Sequence, residues 1–505
     1  MKKKLVVLIL LLLQLAFFAK AQYQVQTCDK GNDYYLNPIF GGDYPDPSII
    51  RDGDTYYMVH SSFEYYPGLL VWESKDLINW TPVANALHKY VGSVWAPDIV
   101  KYEDKYYIYF PANDKIYVVV SNTINGPWSD PVDLNINSID PGHVVDEHGK
   151  RYLYFNSGGY VPLSDDGLSV IGELTHTYDG WPIPRDWTIE LFALEGPKLV
   201  KRGDYYYLTT AEGGTAGPAT SHMIISARSK SPFGPWENSP FNPIVKTWSK
   251  EERWWSKGHG TLLEDTHGSW WLVFHGYEKG HYNMGRQTLL EPVEWTEDGW
   301  FKTPDGISTE GEIKRPVARA PKSNFSLSDD FSENSLKLHW KFFGEYDTNR
   351  FHFTDNSLVV KGKGNSVGNC SPLLCVPSHH SYTAEVEMIV DDNAIGGLVL
   401  FYNNVAHSGI LADSENILTN LRGWRFTTEK NVIKNRVFLK LRNIDSTVDM
   451  YFSTDGTNWN KIETSLEVSS LNHNGLSGFL SLRIGLCSIG EGSVQFKNFK
   501  YQPIQ

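Results

Sequence analysis

Three carboxylates stand out because rigid residues flank them. They are Asp46 in Tyr44-Pro45-Asp46-Pro47-Ser48, Asp140 in Ile139-Asp140-Pro141-Gly142, and Glu195 in Leu194-Glu195-Gly196-Pro197. An acid beside proline or glycine is also an ordinary turn former, so none of the three marks a site by itself. Together they supply what cleavage of a glycosidic bond needs. One group must protonate the leaving oxygen, and another must activate water, or attack, on the opposite face. A glutamic acid has an unperturbed pKa of about 4.3, so one that must stay protonated near neutrality needs help. A third carboxylate nearby gives that help through like-charge repulsion.

Acids so distant in the chain meet only if a larger architecture gathers them. A polar turn followed by an aromatic strand recurs five times, at Asp52–Met58, Glu103–Tyr109, His148–Tyr154, Arg202–Leu208 and His267–Val273. Each places Gly or Asp before a β-rich run, the signature of an antiparallel hairpin. Several repeats continue to a second signature ending in Trp: Ser74–Trp80, Asn125–Trp128, Phe233–Trp236 and, as a variant, Glu294–Trp300. The third has only Ser164–Leu168 in that place. Successive repeats start roughly 45 to 65 residues apart, which suits a four-stranded propeller blade. Five blades packed radially leave no long edge strand exposed. The three acids fall just before the first, third and fourth signatures, where a central channel would collect them.

Beyond the repeats, Arg315–Asn324 reads as a Pro-containing basic linker. Alternating runs such as Ser381–Met388, Gly397–Tyr402, Val437–Leu441 and Val448–Phe452 then predict antiparallel strands of a β-sandwich. The expected fold is therefore all-β: a five-bladed β-propeller over 22–316, a linker over 317–325, and a β-sandwich over 326–505. Residues 1–21 read as an export signal. Lys2, Lys3 and Lys4 precede the apolar stretch Leu5–Phe18, and Ala19-Lys20-Ala21 fits a cleavage site. The apolar run is shorter than the ~20 residues that span a bilayer, so no membrane anchor is expected once the signal is removed. Gln22 rather than Cys follows the cut, which argues against a lipid-modified terminus. In an oxidising compartment Cys370 and Cys375 could bridge locally, but the sequence does not fix connectivity; none of Cys28, Cys370, Cys375 and Cys487 sits beside a base or a second metal-ligand pair, so all four read as structural or free. Net charge is -13, which would repel nucleic acid and leave a neutral polysaccharide indifferent. The many Tyr and Trp suit strands, and also suit stacking on sugar rings.

Over residues 36–316 the chain resembles glycoside hydrolase family 43. The resemblance rests on Asn37-Pro38-Ile39-Phe40, Tyr44–Ser48, Ser61–Gly68, Trp95-Ala96-Pro97-Asp98, Glu195-Gly196-Pro197, Gly258-His259-Gly260 and Gly285-Arg286-Gln287, which occur in the family's order. It implies a five-bladed propeller, in agreement with the repeats. It also implies that Asp46 is the general base, Glu195 the general acid, and Asp140 the group that raises the proton affinity of Glu195 and orients it. Inversion would set Asp46 and Glu195 roughly 6.5–9.5 Å apart, with room for water. Arg286 matches a substrate-binding arginine, and Phe63 and Trp95 match aromatic walls of the sugar pocket. His259 matches a channel histidine that in relatives helps hold a calcium ion or water. No cofactor is required, and no oxygen-rich calcium loop stands out, so any calcium would be structural. Two departures bear on specificity: Lys198 follows Pro197 where relatives often have His, and Gly142 follows Pro141 where Ser is frequent. The C-terminal region resembles, more loosely, a concanavalin A-like jelly-roll sandwich, on Gly396–Tyr402 and Gly492–Phe496. It is expected to buttress or close the mouth of the site.

These expectations converge on an exported, exo-acting, inverting hydrolase that releases terminal α-L-arabinofuranose from plant cell-wall glycans. β-Xylosidase is the nearest enzyme alternative, and a non-catalytic sugar-binding propeller is the alternative of a different class.

Overall fold

The computed structural model describes residues 28–318, 320–430 and 435–504. The expected export signal at 1–21 lies outside them. Each predicted turn-and-strand repeat forms the first hairpin of an antiparallel blade, four-stranded in every case except blade four, where Val245–Lys246 adds a fifth strand. Blade one runs Ser48–Asp52, Thr55–Val59, Gly68–Ser74 and Trp80–Leu87; blade two starts at Asp98–Tyr102, blade three at Gly142–Val145, blade four at Leu194–Arg202 and blade five at Trp254–Glu264. The hairpin turns need a left-handed residue. Glycine provides it in four blades (Gly53, Gly149, Gly203 and Gly268), and Glu103 takes the same conformation in blade two. The Trp signatures also have a place. Trp80, Trp128, Trp236 and Trp300 stand at or just before the fourth strand of their blades. Blade three lacks the Trp, and its fourth strand is only Thr175–His176, both exposed.

First strands of neighbouring blades pack on one another around the axis. Apolar side chains fill the wedges between blades. Val59, Val71, Ile99 and Ile108 join blades one and two, Tyr107, Val118, Leu153 and Val161 join two and three, and Tyr207, Ile224, Leu262 and Leu272 join four and five. Where blade five meets blade one, Trp72, Trp271 and Leu290 are packed with Tyr35 and Ile313. There the two ends of the ring are tied. Tyr34–Tyr35 pairs with Ile313–Lys314, and Phe40 bridges to Thr288.

The C-terminal half is two sheets face to face. One contains Leu373–Cys375, Ala394–Phe401, His407–Ala412 and Arg483–Gly490; the other contains Tyr382–Val390, Arg436–Ile444, Thr447–Ser453 and Ser493–Pro503. Tyr382–Val390 alternates buried and half-buried residues along its whole length, as a strand with one core face should. The first sheet does not end within the sandwich. Its last strand is Tyr65–Tyr66 of blade one, paired with Lys341–Phe343.

One expectation is modified. The segment read as a linker is fastened to blade one: Arg315 lies 3.6 Å from Asp29 and 3.5 Å from Asp76, and the Ala320 amide donates to Asp76 Oδ2 at 2.9 Å. All four cysteines are buried free thiols, in line with their reading as structural or free; the local Cys370–Cys375 bridge left open by the spacing is absent, and Cys370 faces Cys487. Strand Leu373–Cys375 carries Cys375 into pairing with Arg483–Gly490, and this separates it from Cys370.

Candidate active site

Asp46 precedes the first strand of blade one, Asp140 that of blade three, and Glu195 lies at the start of that of blade four. The backbone around them is unusual. Asp46, Asp140, His259 and Phe63 all have φ near +50°, in the left-handed region. Non-glycine residues held there cost on the order of 1–3 kcal/mol each and cluster where function requires them. The ladder of blade four shifts register between Glu195 and Lys198, and that of blade five shifts on both sides of Gly258. Such bulges re-aim side chains at the rim of a sheet.

Asp46 is buried, and burial alone would raise its pKa. The surroundings reverse this and hold it well below the ordinary carboxylate range, first through Arg286, then through His259 and His275. Arg286 grips it with both arms, Nη1–Oδ1 at 2.9 Å and Nη2–Oδ2 at 3.2 Å. Ser61 Oγ donates to Oδ2 at 2.5 Å. The Asp46 amide donates to His275 Nδ1 at 3.1 Å, so the ring proton sits on Nε2, 3.1 Å from Thr215 Oγ1. Burial pushes His275 down to about 4 and His259 to about 3, so these rings are neutral near pH 7. The formal cation facing Asp46 is Arg286.

Glu195 is the opposite case. Burial, then Asp140, then Asp46 push its pKa up to about 8. Its carboxyl stays partly open, with 21% of the side chain exposed and His222 Nδ1 at 3.9 Å. Asp140 is also raised, by burial and then by Asp46, and its Oδ2 accepts the Gly196 amide at 2.9 Å. One ionised and one protonated carboxyl in a shared field is the division of labour that general acid–base hydrolysis uses. The glycines of the motifs make room for this. A Cβ on Gly196 would lie 2.9 Å from the His259 ring, and one on Gly258 would overlap His222.

The two departures from the family pattern meet at one point. Lys198 is buried, pairs with Asp98 at 2.7 Å, and donates to the Pro97 and Pro141 carbonyls, each at 3.2 Å. Asp98 is held further by Ser48 Oγ at 3.0 Å and the His143 amide at 2.8 Å. A Cβ on Gly142 would stand 2.0 Å from the Pro197 carbonyl oxygen. Lysine and glycine thus lock the Asp140 turn onto the Glu195 turn.

Among the other residues singled out by sequence, Arg286 is committed to Asp46, with Nε left unpartnered. Phe63 is buried with its ring 6.0 Å from the Arg286 guanidinium, and Trp95 is half-buried beside Phe479. His259 has one unpartnered nitrogen, but its charged neighbours include Lys198 and Arg286. Among the described residues no set of three acidic, histidine or cysteine ligands surrounds it.

Sequence reasoning expected the second half to buttress or close the mouth but named none of the residues that reach it. Phe479 lies 5.2 Å from the Arg286 guanidinium and 6.2 Å from Trp95, and stacks on His473. Its loop is tied to the propeller by the Gly217 amide donating to Asn474 Oδ1 at 3.0 Å. Arg483 pairs with Asp43 at 3.3 Å and lies over the Tyr65 ring. No local spacing in the sequence signals these pairings, because the partners lie hundreds of residues apart.

Comparison with known proteins agrees with this geometry. The family model for glycosyl hydrolases family 43 matches residues 35–301, and the model for the β-xylosidase C-terminal concanavalin A-like domain matches 328–502. A non-reducing-end α-L-arabinofuranosidase of Bacteroides ovatus is 30% identical over 435 residues, covering 80% of this chain and 79% of that protein. A β-xylosidase of Bacillus subtilis is 28% identical, covering 92% of this chain and 99% of that protein. The family 43 protein BlXynB of Bacillus licheniformis superposes with a TM-score of 0.84 at 28% identity, over 93% of this chain and all of that one. The chain belongs to glycosyl hydrolases family 43 and is a glycoside hydrolase.

Proposed function

We propose that the protein is an exo-acting, inverting hydrolase that releases terminal α-L-arabinofuranose from plant cell-wall glycans. The observation that carries the reading is the split between an Asp46 held ionised by Arg286 and a Glu195 held protonated by burial and Asp140. In the proposed step Asp46 takes a proton from water as that water attacks the anomeric carbon. The glycosidic C–O bond breaks as Glu195 passes its proton to the leaving oxygen. Asp140 keeps that proton available. Phe479 beside Trp95 and Arg286 narrows the mouth, which favours one terminal sugar over an internal stretch of polymer. Export to the periplasm or medium, expected from residues 1–21, fits a polymeric substrate.

β-Xylosidase is the second reading, favoured by the near full-length match to the B. subtilis enzyme and by the description of the C-terminal family. Aryl α-L-arabinofuranoside and aryl β-D-xyloside assayed side by side separate the two. NMR of the first product anomer tests inversion, and retention of configuration would refute the assignment of Asp46 as base. Glu195→Gln should lower turnover of a natural glycan by about 10²–10⁴ with the fold unchanged by circular dichroism. Undiminished hydrolysis would show that Glu195 is not the acid.

A further inference from the structure

We infer that His281, His380 and Asp445 form a binding site for a divalent first-row transition metal, best matched by Zn²⁺, at the seam between propeller and sandwich. Each offers a ligand atom within 4.8 Å of the other two. They come from separate places. His281 follows the second strand of blade five, His380 precedes Tyr382–Val390, and Asp445 lies in the turn between Arg436–Ile444 and Thr447–Ser453. Two imidazole nitrogens and a carboxylate oxygen suit zinc, whereas calcium and magnesium favour all-oxygen sets. Three protein ligands leave a fourth tetrahedral position for water.

The surroundings have the organisation of a metal centre. His380 Nε2 lies 2.7 Å from Glu278 Oε2, which leaves Nδ1 to face an ion. A carboxylate on the far nitrogen is the usual device for orienting a ligating histidine. Glu278 is itself fixed by Arg253 Nε at 2.7 Å and Gln287 Nε2 at 2.9 Å. The His281 ring lies parallel to that of His380, centroids 3.6 Å apart and planes 3° apart. In that arrangement the in-plane lone pairs of the two rings run parallel, so a shared ion requires the two side chains to shift apart. Both rings are half-buried and Asp445 is exposed, so an ion reaches them from solvent. Packing alone would account for two stacked rings, but not for a third ligand and a carboxylate behind one of them. The site shares no residue with the carboxylate funnel, and an ion there would fasten the two halves together.

Isothermal titration of the full chain with zinc chloride, in a non-chelating buffer near neutral pH, tests the proposal. Wild type should bind about one equivalent, with a rise in Tm. His281→Ala and Asp445→Asn should each weaken binding by roughly tenfold or more and remove the Tm rise. Both should keep metal-free activity on the aryl glycosides. Asp445→Asn keeps the turn geometry at an exposed position, so it serves even if His281→Ala folds poorly. Absence of saturable zinc binding by wild type, or unchanged affinity and Tm rise in Asp445→Asn, would overturn the proposal.

Discussion

At the scale of single residues, the centre works by giving two acids opposite protonation states within one field. Glu195 is raised to about 8, and as the proposed acid it must be protonated to act, so kcat/KM should fall as pH rises through that region. Asp46 is lowered well below its ordinary value, so it stays ionised down to strongly acidic pH. Asp140→Asn removes a charge that raises Glu195. The alkaline limb of the pH–rate profile should therefore move to lower pH, and a profile that stays in place would show that Asp140 does not set the acid. Lys198 belongs to the same scale. Lys198→Met strands Asp98 as a buried, unpaired carboxylate, which should cost roughly 3–5 kcal/mol in urea unfolding. Adding Asp98→Asn should recover most of that loss. The acids themselves were legible in the sequence, because Pro and Gly beside them announce an aimed backbone. Asp98 and Lys198 were visible only as members of motifs; that they meet follows from the blade two and blade four first strands facing one axis.

At the scale of elements, repeats were readable because each blade reuses the same local solution, a left-handed turn before an aromatic strand and a Trp near the outermost strand. The contacts between halves were not, because they involve single side chains with no period. The loop from Asn472 to Leu482 illustrates this: it brings Phe479 to Arg286, yet its sequence is a short polar run around one aromatic. Phe479→Ala should lower kcat/KM roughly three- to tenfold, the effect of losing about 0.5–1.5 kcal/mol of aromatic contact, without moving the alkaline limb set by Glu195. A shift of that limb would mean the loop acts on the acid rather than on the sugar. Tyr65–Tyr66 is the reciprocal case, a propeller strand that completes a sandwich sheet. Its partner Lys341–Phe343 follows about 275 residues later in the chain, so the pairing belongs to the assembled molecule rather than to either half.

At the scale of the whole molecule, the halves depend on each other. Removing everything after Lys322 would strip the mouth of Phe479, leave Asp43 without Arg483, and expose the Tyr65–Tyr66 edge. The truncated chain should be insoluble or inactive; a soluble propeller with full activity on aryl glycosides would contradict the buttressing role. The ring closure has a consequence of its own. Asp46 and Arg286 are 240 residues apart and come from the first and last blades, on either side of the join made by Tyr34–Tyr35 and Ile313–Lys314. If the two termini of the annulus part, all five blades can keep their own ladders, yet the water-activating group loses its counter-ion at once. On the proposed mechanism hydrolysis then requires a complete circuit, and a ring opened at the join should keep its blades but lose turnover.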